Sequence, residues 1–449
     1  MDCDKNLKAL LYYSIGIICL IYAYFFLILP QSWSLNNDYG WLLDWRDRRE
    51  FWRRYFDLNQ AEMGTGRFHP VYDFYIVCLY YFLPLKPVVF RVCQFLLLGY
   101  SVCLLNRILN QLKFSTPQIL LAILLFLGNL TIKDWITLPA AFEPVAIVFF
   151  LLSLVTYLDS RKIISALFFF FSFLSKETFF ILLPTFFLLE YFFDYIPSKN
   201  KIKAFVTLAI FSIPTLIFIF FVKSLDRVYT ANKFTAFPIK NILVGFLAPP
   251  LKAFFPALFL LAFLLWKNKK QFTQGEKKAL VIGSSIIFFQ TVILALWGPF
   301  DSWFYLHMAI PIGWALVIAS VFADKSPRIL LGLTCFYLIA LTFNGSYKLW
   351  NYLAAAPIAA SMACEDFEKN PNLQIFSNCE EGSVQLRNYL VAYDVCKNPP
   401  NIKWTGQVAE NERPTSNFEV LLSTRCNGPL FPVTLKSEVK LPFWTIQKF

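Results

Sequence analysis

Long apolar segments recur from residue 7 to residue 345 of this chain, and they restrict its fold more than any other feature. A helix that crosses a bilayer needs about 20 predominantly apolar residues. Segments of this kind, some slightly short, lie at 7–30, 87–110, 116–131, 141–158, 162–176, 178–196, 203–222, 241–265, 279–297, 303–323 and 328–345. Residues 70–85 are apolar but shorter. Pro70, Pro84 and Pro87 bound them, which marks an interfacial or re-entrant piece. The pattern predicts an all-α polytopic membrane protein of about eleven transmembrane helices. Only 16% of the residues are charged, against about 25% in a soluble chain. The first apolar run exceeds the about 7–15 residues of a signal's apolar core and lacks a small-residue cleavage site, so it reads as a retained span.

Short basic clusters separate the apolar segments: Arg161/Lys162, Lys199/Lys201/Lys203, the run from Lys267 to Lys278, and Lys325/Arg328. They alternate with basic-poor turns at 132–140 and 298–302. Basic loops stay cytoplasmic, so the N-terminus is expected inside, with loop 31–67 and the tail from residue 346 outside. Much of the net charge of +12 lies in these clusters, which accounts for it without a nucleic-acid partner. An alternative makes 163–195 one broken helix around Lys176-Glu177, which would move the tail inside. The basic turn after 195 and the cysteines favour two spans.

Cys3, Cys19, Cys78, Cys93, Cys103 and Cys335 are scattered through the apolar part, where Cys acts as a small apolar filler. Cys364, Cys379, Cys396 and Cys426 lie in the polar tail. Four cysteines suit two disulfides with three connectivities, which requires an oxidising, extracytoplasmic side. The tail, 346–449, has the composition of a small soluble α/β domain. A helix is expected at 383–393 and strands at 373–376 and 418–424. The domain organisation is thus a membrane unit, 1–345, followed by this extracytoplasmic unit.

The charges that stand out lie beside the apolar segments. Loop 31–67 carries Asp38, Asp44, Asp47, Glu50, Asp57 and Glu62 interleaved with Arg46, Arg48, Arg49, Arg53, Arg54 and Arg67. A carboxylate such as Asp38 at the outer mouth of a membrane cavity can take the proton of an attacking hydroxyl; otherwise it caps the next helix. Asp44 is the second candidate, and either acid can instead pair with the neighbouring arginines. In Gly-Thr-Gly-Arg-Phe-His-Pro, 64–70, Arg67 offers a planar fork to phosphate oxygens or snorkels as an interfacial anchor. His69 and His307 are the two histidines. Neither has a second histidine nearby in sequence, so there is no metal signature, and the first reading of each is a packed or hydrogen-bonded residue. Glu143-Pro144 opens a span, where an acid also suits a helix N-terminus. Lys176-Glu177 puts two ionisable residues between Phe-rich runs, which marks function or pairing at membrane depth, or an outer-interface turn. Loop 223–240, with Lys223, Arg227, Tyr229, Lys233 and Lys240, suits an anionic ligand or anionic lipid. Trp297, Asp301, Trp303, Tyr305 and His307 suit a sugar face or an aromatic belt.

In order along the chain, the acid in the first outer loop, GRFHP at 66–70, Glu143-Pro144 and Ser-Lys-Glu-Thr at 175–178 resemble the integral-membrane glycosyltransferases of the GT-C superfamily. The protein O-mannosyltransferases and the aminoarabinose transferases are examples. The resemblance covers most of 1–345 and leaves the tail unmatched. It implies a polyprenyl-phosphate-linked sugar as donor, a glycan, lipid or protein acceptor, and a bacterial inner-membrane location. It casts Asp38 as base, with Asp44 second, and places Arg67 and Lys176 on the donor phosphate. Glu143, with His69 and Glu177, lines the substrate cavity. Asn37-Asp38 stands where many members have adjacent acids, so both the base and a divalent metal requirement stay open. The competing readings are a transporter or flippase of lipid-linked or anionic solutes, and a surface-polysaccharide polymerase or ligase.

Overall fold

The computed structural model describes residues 2–29, 50–64, 69–83, 86–137, 142–195, parts of 206–216, 272–297, 308–322, 328–377 and four later strands between 402 and 448. The described residues are mostly helical. Helix α1 spans Asp2–Ala23 and runs into a π turn, Tyr24–Ile28. Then come α2 (Phe51–Gly64), α3 (Pro70–Phe82), α4 (Pro87–Gln111), α5 (Thr116–Leu127), α6 (Thr131–Thr137), α7 (Glu143–Leu158) and α8 (Lys162–Ser175). A 3-10 turn (Glu177–Leu182), α9 (Leu183–Leu189) and a π turn (Glu190–Tyr195) follow. Later elements are α10 (Gln274–Trp297), α11 (Ile310–Val321) and α12 (Arg328–Lys369). Proline at the first or second position opens α3, α4, α5, α7, α9 and α11. Its fixed φ suits a helix start, and its missing N–H costs nothing there.

Among the described residues, two helices are long and apolar enough to cross a membrane, Asn6–Ile28 and Pro87–Gln111. A third is counted if Thr116–Leu127 and Thr131–Thr137 form one span bent by 64°. The apolar segment expected at 116–131 is thus broken after Leu127 instead of continuous. Helices α7, α8 and α11 are apolar but shorter, at 16, 14 and 12 residues. The loop read at 31–67 contains a helix, α2, because its aromatic residues at i, i+4 spacing find a face on α3. The segment read as ending at 345 continues as one helix to Lys369, since 346–369 carries no helix breaker beyond Pro357. Segment 241–265 and the expected helix at 383–393 lie outside the described residues, as does most of 203–222.

Side-chain hydrogen bonds tie the helices into register. Ser153 and Ser165 each donate to the other's carbonyl at 2.7 Å, and Ser172 donates to the Ala146 carbonyl at 2.7 Å, so α7 and α8 run back to back. Their connecting turn is gripped by α4: Arg107 and Gln111 donate to Asp159 at 2.8 and 2.6 Å. Gln118, in the first turn of α5, donates to Glu276 of α10 at 2.9 Å and to the Phe322 carbonyl beyond α11 at 3.2 Å. One end of the bundle therefore gathers the end of α4, the turn 159–162, the starts of α5 and α10 and the end of α11. Glu190 accepts from Tyr157 at 2.8 Å and pairs with Lys162, the first residue of α8. The chain thus doubles back at 176–177.

Helix α12 runs from Arg328 past Phe343 and Tyr347, whose rings meet Phe25 near the far end of α1, and then packs on β3 and β5. The five-stranded sheet has the order β2-β1-β3-β5-β4, from β1 (Gln374–Ser377), β2 (Ile402–Trp404), β3 (Phe418–Ser423), β4 (Ser437–Leu441) and β5 (Trp444–Lys448). Strands β2, β1 and β3 are parallel, while β3, β5 and β4 are antiparallel. β1 and β3 fall where the sequence placed strands. Cys364 is disulfide-bonded; Cys379, Cys396 and Cys426 lie outside the described residues.

Candidate functional site

Opposite the gathered turns, three separate parts of the chain converge. His69 caps α3, Phe142 caps α7, and Lys176 is the extended residue between α8 and the 3-10 turn, with φ −155 and ψ 116. The break at Lys176 is local in origin. Its N–H closes α8 on the Ser172 carbonyl at 3.0 Å, and its carbonyl accepts from Phe179 at 3.0 Å, starting the next turn. The extended backbone between these two bonds turns both the Lys176 and Glu177 side chains toward the starts of α3 and α7.

The site is built around the Phe142 ring. The His69 ring lies 4.6 Å from it and the Tyr72 ring 4.0 Å, centre to centre. Lys176 Nζ sits 4.8 Å from the same centre, an arrangement in which the ring's negative face favours the cation. Lys176 Nζ is 3.4 Å from one Glu177 oxygen, and His69 Nε2 is hydrogen-bonded to the other. His69, Lys176 and Glu143 are buried, whereas the Glu177 side chain is 38% exposed and forms the accessible edge of the cluster. Both Glu143 oxygens are buried without a hydrogen bond among the described residues, so this carboxyl is the group with acceptor capacity to spare.

Glu177 lies in the break between the apolar segments 162–176 and 178–196. Partial burial opposes its ionisation, but the ammonium of Lys176 and the imidazole of His69 outweigh that effect. Its carboxyl is held well below the usual carboxylate range. A fixed anion bonded to His69 holds the imidazole in one orientation, and the same anion holds Lys176 beside it inside the cluster.

The structure thus brings together four of the residues singled out from the sequence, His69, Glu143, Lys176 and Glu177. Asp38, Asp44 and Arg67 lie outside the described residues, as do loop 223–240 and residues 301–307. Sequence reasoning missed Phe142 and Tyr72, because single aromatics carry no signal in a chain with 51 phenylalanines. It also missed Asp73, fully buried one turn into α3, whose N–H donates to the His69 carbonyl at 2.8 Å. An acid inside an apolar segment was the available signal. Among the described residues no group of three or more His, Cys, Asp or Glu side chains is placed to hold a metal ion. The chain matches no family model, and no curated protein matches it.

Proposed function

We propose that this chain is a multi-pass membrane glycosyltransferase that moves a sugar from a polyprenyl-phosphate donor to an acceptor on the extracytoplasmic face. The observation that carries the reading is the convergence of His69, Glu143, Lys176 and Glu177 at the bundle end opposite the basic turns. In this reading the basic turns face the cytoplasm, and the cluster, the tail sheet and the disulfide-bonded Cys364 face outward. The full architecture in this reading has about eleven spans and an outer α/β domain, in a bacterial inner membrane.

In the reaction, the acceptor hydroxyl attacks the anomeric carbon and gives its proton to Asp38, or to Asp44. The bond from that carbon to the phosphate oxygen breaks, and the phosphate leaves with the electron pair. Lys176 and Arg67 stabilise the charge that develops on the leaving phosphate. Glu143, whose oxygens make no side-chain hydrogen bond among the described residues, accepts hydroxyls of the donor sugar, and Glu177 with His69 keeps Lys176 placed. A glycan, lipid or protein acceptor enters from the exposed Glu177 side.

The test is transfer of labelled sugar from a polyprenyl-phosphate donor by the purified full chain in lipid. Loss of transfer in Asp38→Asn and Lys176→Gln, with normal membrane insertion, supports the reading. Full activity in both Asp38→Asn and Asp44→Asn defeats it. Ligand-driven flux in proteoliposomes without a covalent product would make the chain a transporter or flippase instead.

A further inference from the structure

Helix α2 has three distinct sides. At about 100° per residue, Phe51, Tyr55 and Leu58 share one side and pack against the core. The next side carries Trp52 and Phe56, which are 61% and 63% exposed. The third carries Arg53 and Asp57, with Arg53 bridging Glu50 at 3.2 Å and Asp57 at 3.8 Å. Helix α3 extends the aromatic side with Phe74 and Phe82, 44% and 68% exposed. The rings form one patch: Phe74 lies 6.5 Å from Trp52 and 5.9 Å from Phe51, and Phe82 lies 6.0 Å from Phe51.

The position of α3 says what covers this patch. Its first turn begins at His69, bonded to Glu177 at the cluster end of the bundle. Its last residue, Phe82, is followed at Pro87 by α4, whose far end, Gln111, is fixed to Asp159 at the opposite end. Both ends of α3 therefore lie in the part of the bundle that holds the cluster, away from the gathered turns, and Tyr75 and Tyr80 lie against Gln94 and Phe90 near the start of α4. Helix α4 is one of the helices long and apolar enough to cross a membrane, so α3 and its patch stand beside a candidate span.

We propose that Trp52, Phe56, Phe74 and Phe82 seat α2 and α3 in the interfacial layer of the bilayer, with phospholipid acyl chains covering the four rings. Arg53 and Asp57 then point to water. A helix with large aromatics on one side and charges about 100° round lies in the interface plane, and Trp favours that depth because its indole is apolar with one polar edge. The seat fixes the height of α3, and with it His69, relative to the membrane surface.

The experiment uses the full chain in phospholipid nanodiscs, with p-benzoyl-phenylalanine placed at Trp52, Phe56 or Asp57. Irradiation should give phospholipid adducts at 52 and 56, several-fold above those at 57. Absence of lipid adducts at 52 and 56, equal adducts at 57, or a protein cross-link in place of lipid overturns the proposal. Hydroxyl-radical footprinting of the unmodified chain covers variants that fail to insert. Slow oxidation of Trp52 and Phe56 in nanodiscs supports the seat, and oxidation as fast as that of a water-exposed aromatic overturns it. Neither readout depends on glycosyl transfer.

Discussion

His69 Nε2 donates to the carboxylate of Glu177, a residue 108 positions later in the chain. The bond joins the start of α3 to the point where α8 turns back, so it couples α3 to the bundle. Each partner should therefore depend on the other. A double-mutant cycle with His69→Ala and Glu177→Gln, read by thermal unfolding in detergent, should give a coupling on the order of 1 kcal/mol. A hydrogen bond to a charged group is worth more when buried, and the partial exposure of Glu177 reduces it. Additive losses would show that the two side chains act independently.

Lys176 is predicted to matter through its charge. Its ammonium lies between the Phe142 ring and Glu177. Removing one fixed group that stabilises a developing anion typically lowers the rate about 10²–10³-fold. Lys176→Gln should lose transfer on that scale, with a smaller loss in Lys176→Arg. Equal activity in the two variants would assign Lys176 a packing role.

The pH response of the cluster follows from Glu177. Its carboxyl is held below the ordinary value in the folded chain, so its stabilisation is complete above the unfolded carboxylate value of about 4.3. That stabilisation is lost as pH falls through the lower, folded value. As the pH is lowered, the melting difference between the wild type and Glu177→Gln should not shrink until the pH is below about 5. A difference that shrinks between neutral pH and about pH 5 would contradict it.

The cluster was legible where charge breaks an apolar background, and illegible where it does not. Lys176-Glu177 and Glu143 stand out because ionisable groups are costly beside Phe-rich runs. Phe142, which organises them, is indistinguishable in sequence from other phenylalanines. The pairing of Gln118 with Glu276, 158 positions apart, was hidden for another reason. Each residue sits at a local helix start, Glu276 accepting from Thr273 N–H at 2.9 Å and Gln118 from Ser115 N–H at 2.9 Å. Capping explains both locally, so nothing points to the partner. The extent of α12 was hidden because an apolar stretch ends near 345 while helix propensity continues through Ala354, Ala355 and Ala356.

Gly283 and Gly313 provide a test of the helix packing that is independent of the cluster. A Cβ added at Gly283 would lie 2.6 Å from the Gly313 carbonyl, and one added at Gly313 would lie 2.7 Å from the Gly283 carbonyl. The obstacle is backbone on both sides, so no side-chain rotation relieves it. Small residues let α10 and α11 approach this closely, as at many helix contacts in membranes. Gly283→Ala and Gly313→Ala should each force the helices apart and lower stability by about 1–3 kcal/mol, the usual range for overpacking. Because the same displacement relieves both clashes, the double variant should cost clearly less than the sum of the singles. Thermal unfolding of the three variants checks this, and strictly additive losses would mean that the two glycines do not share one contact.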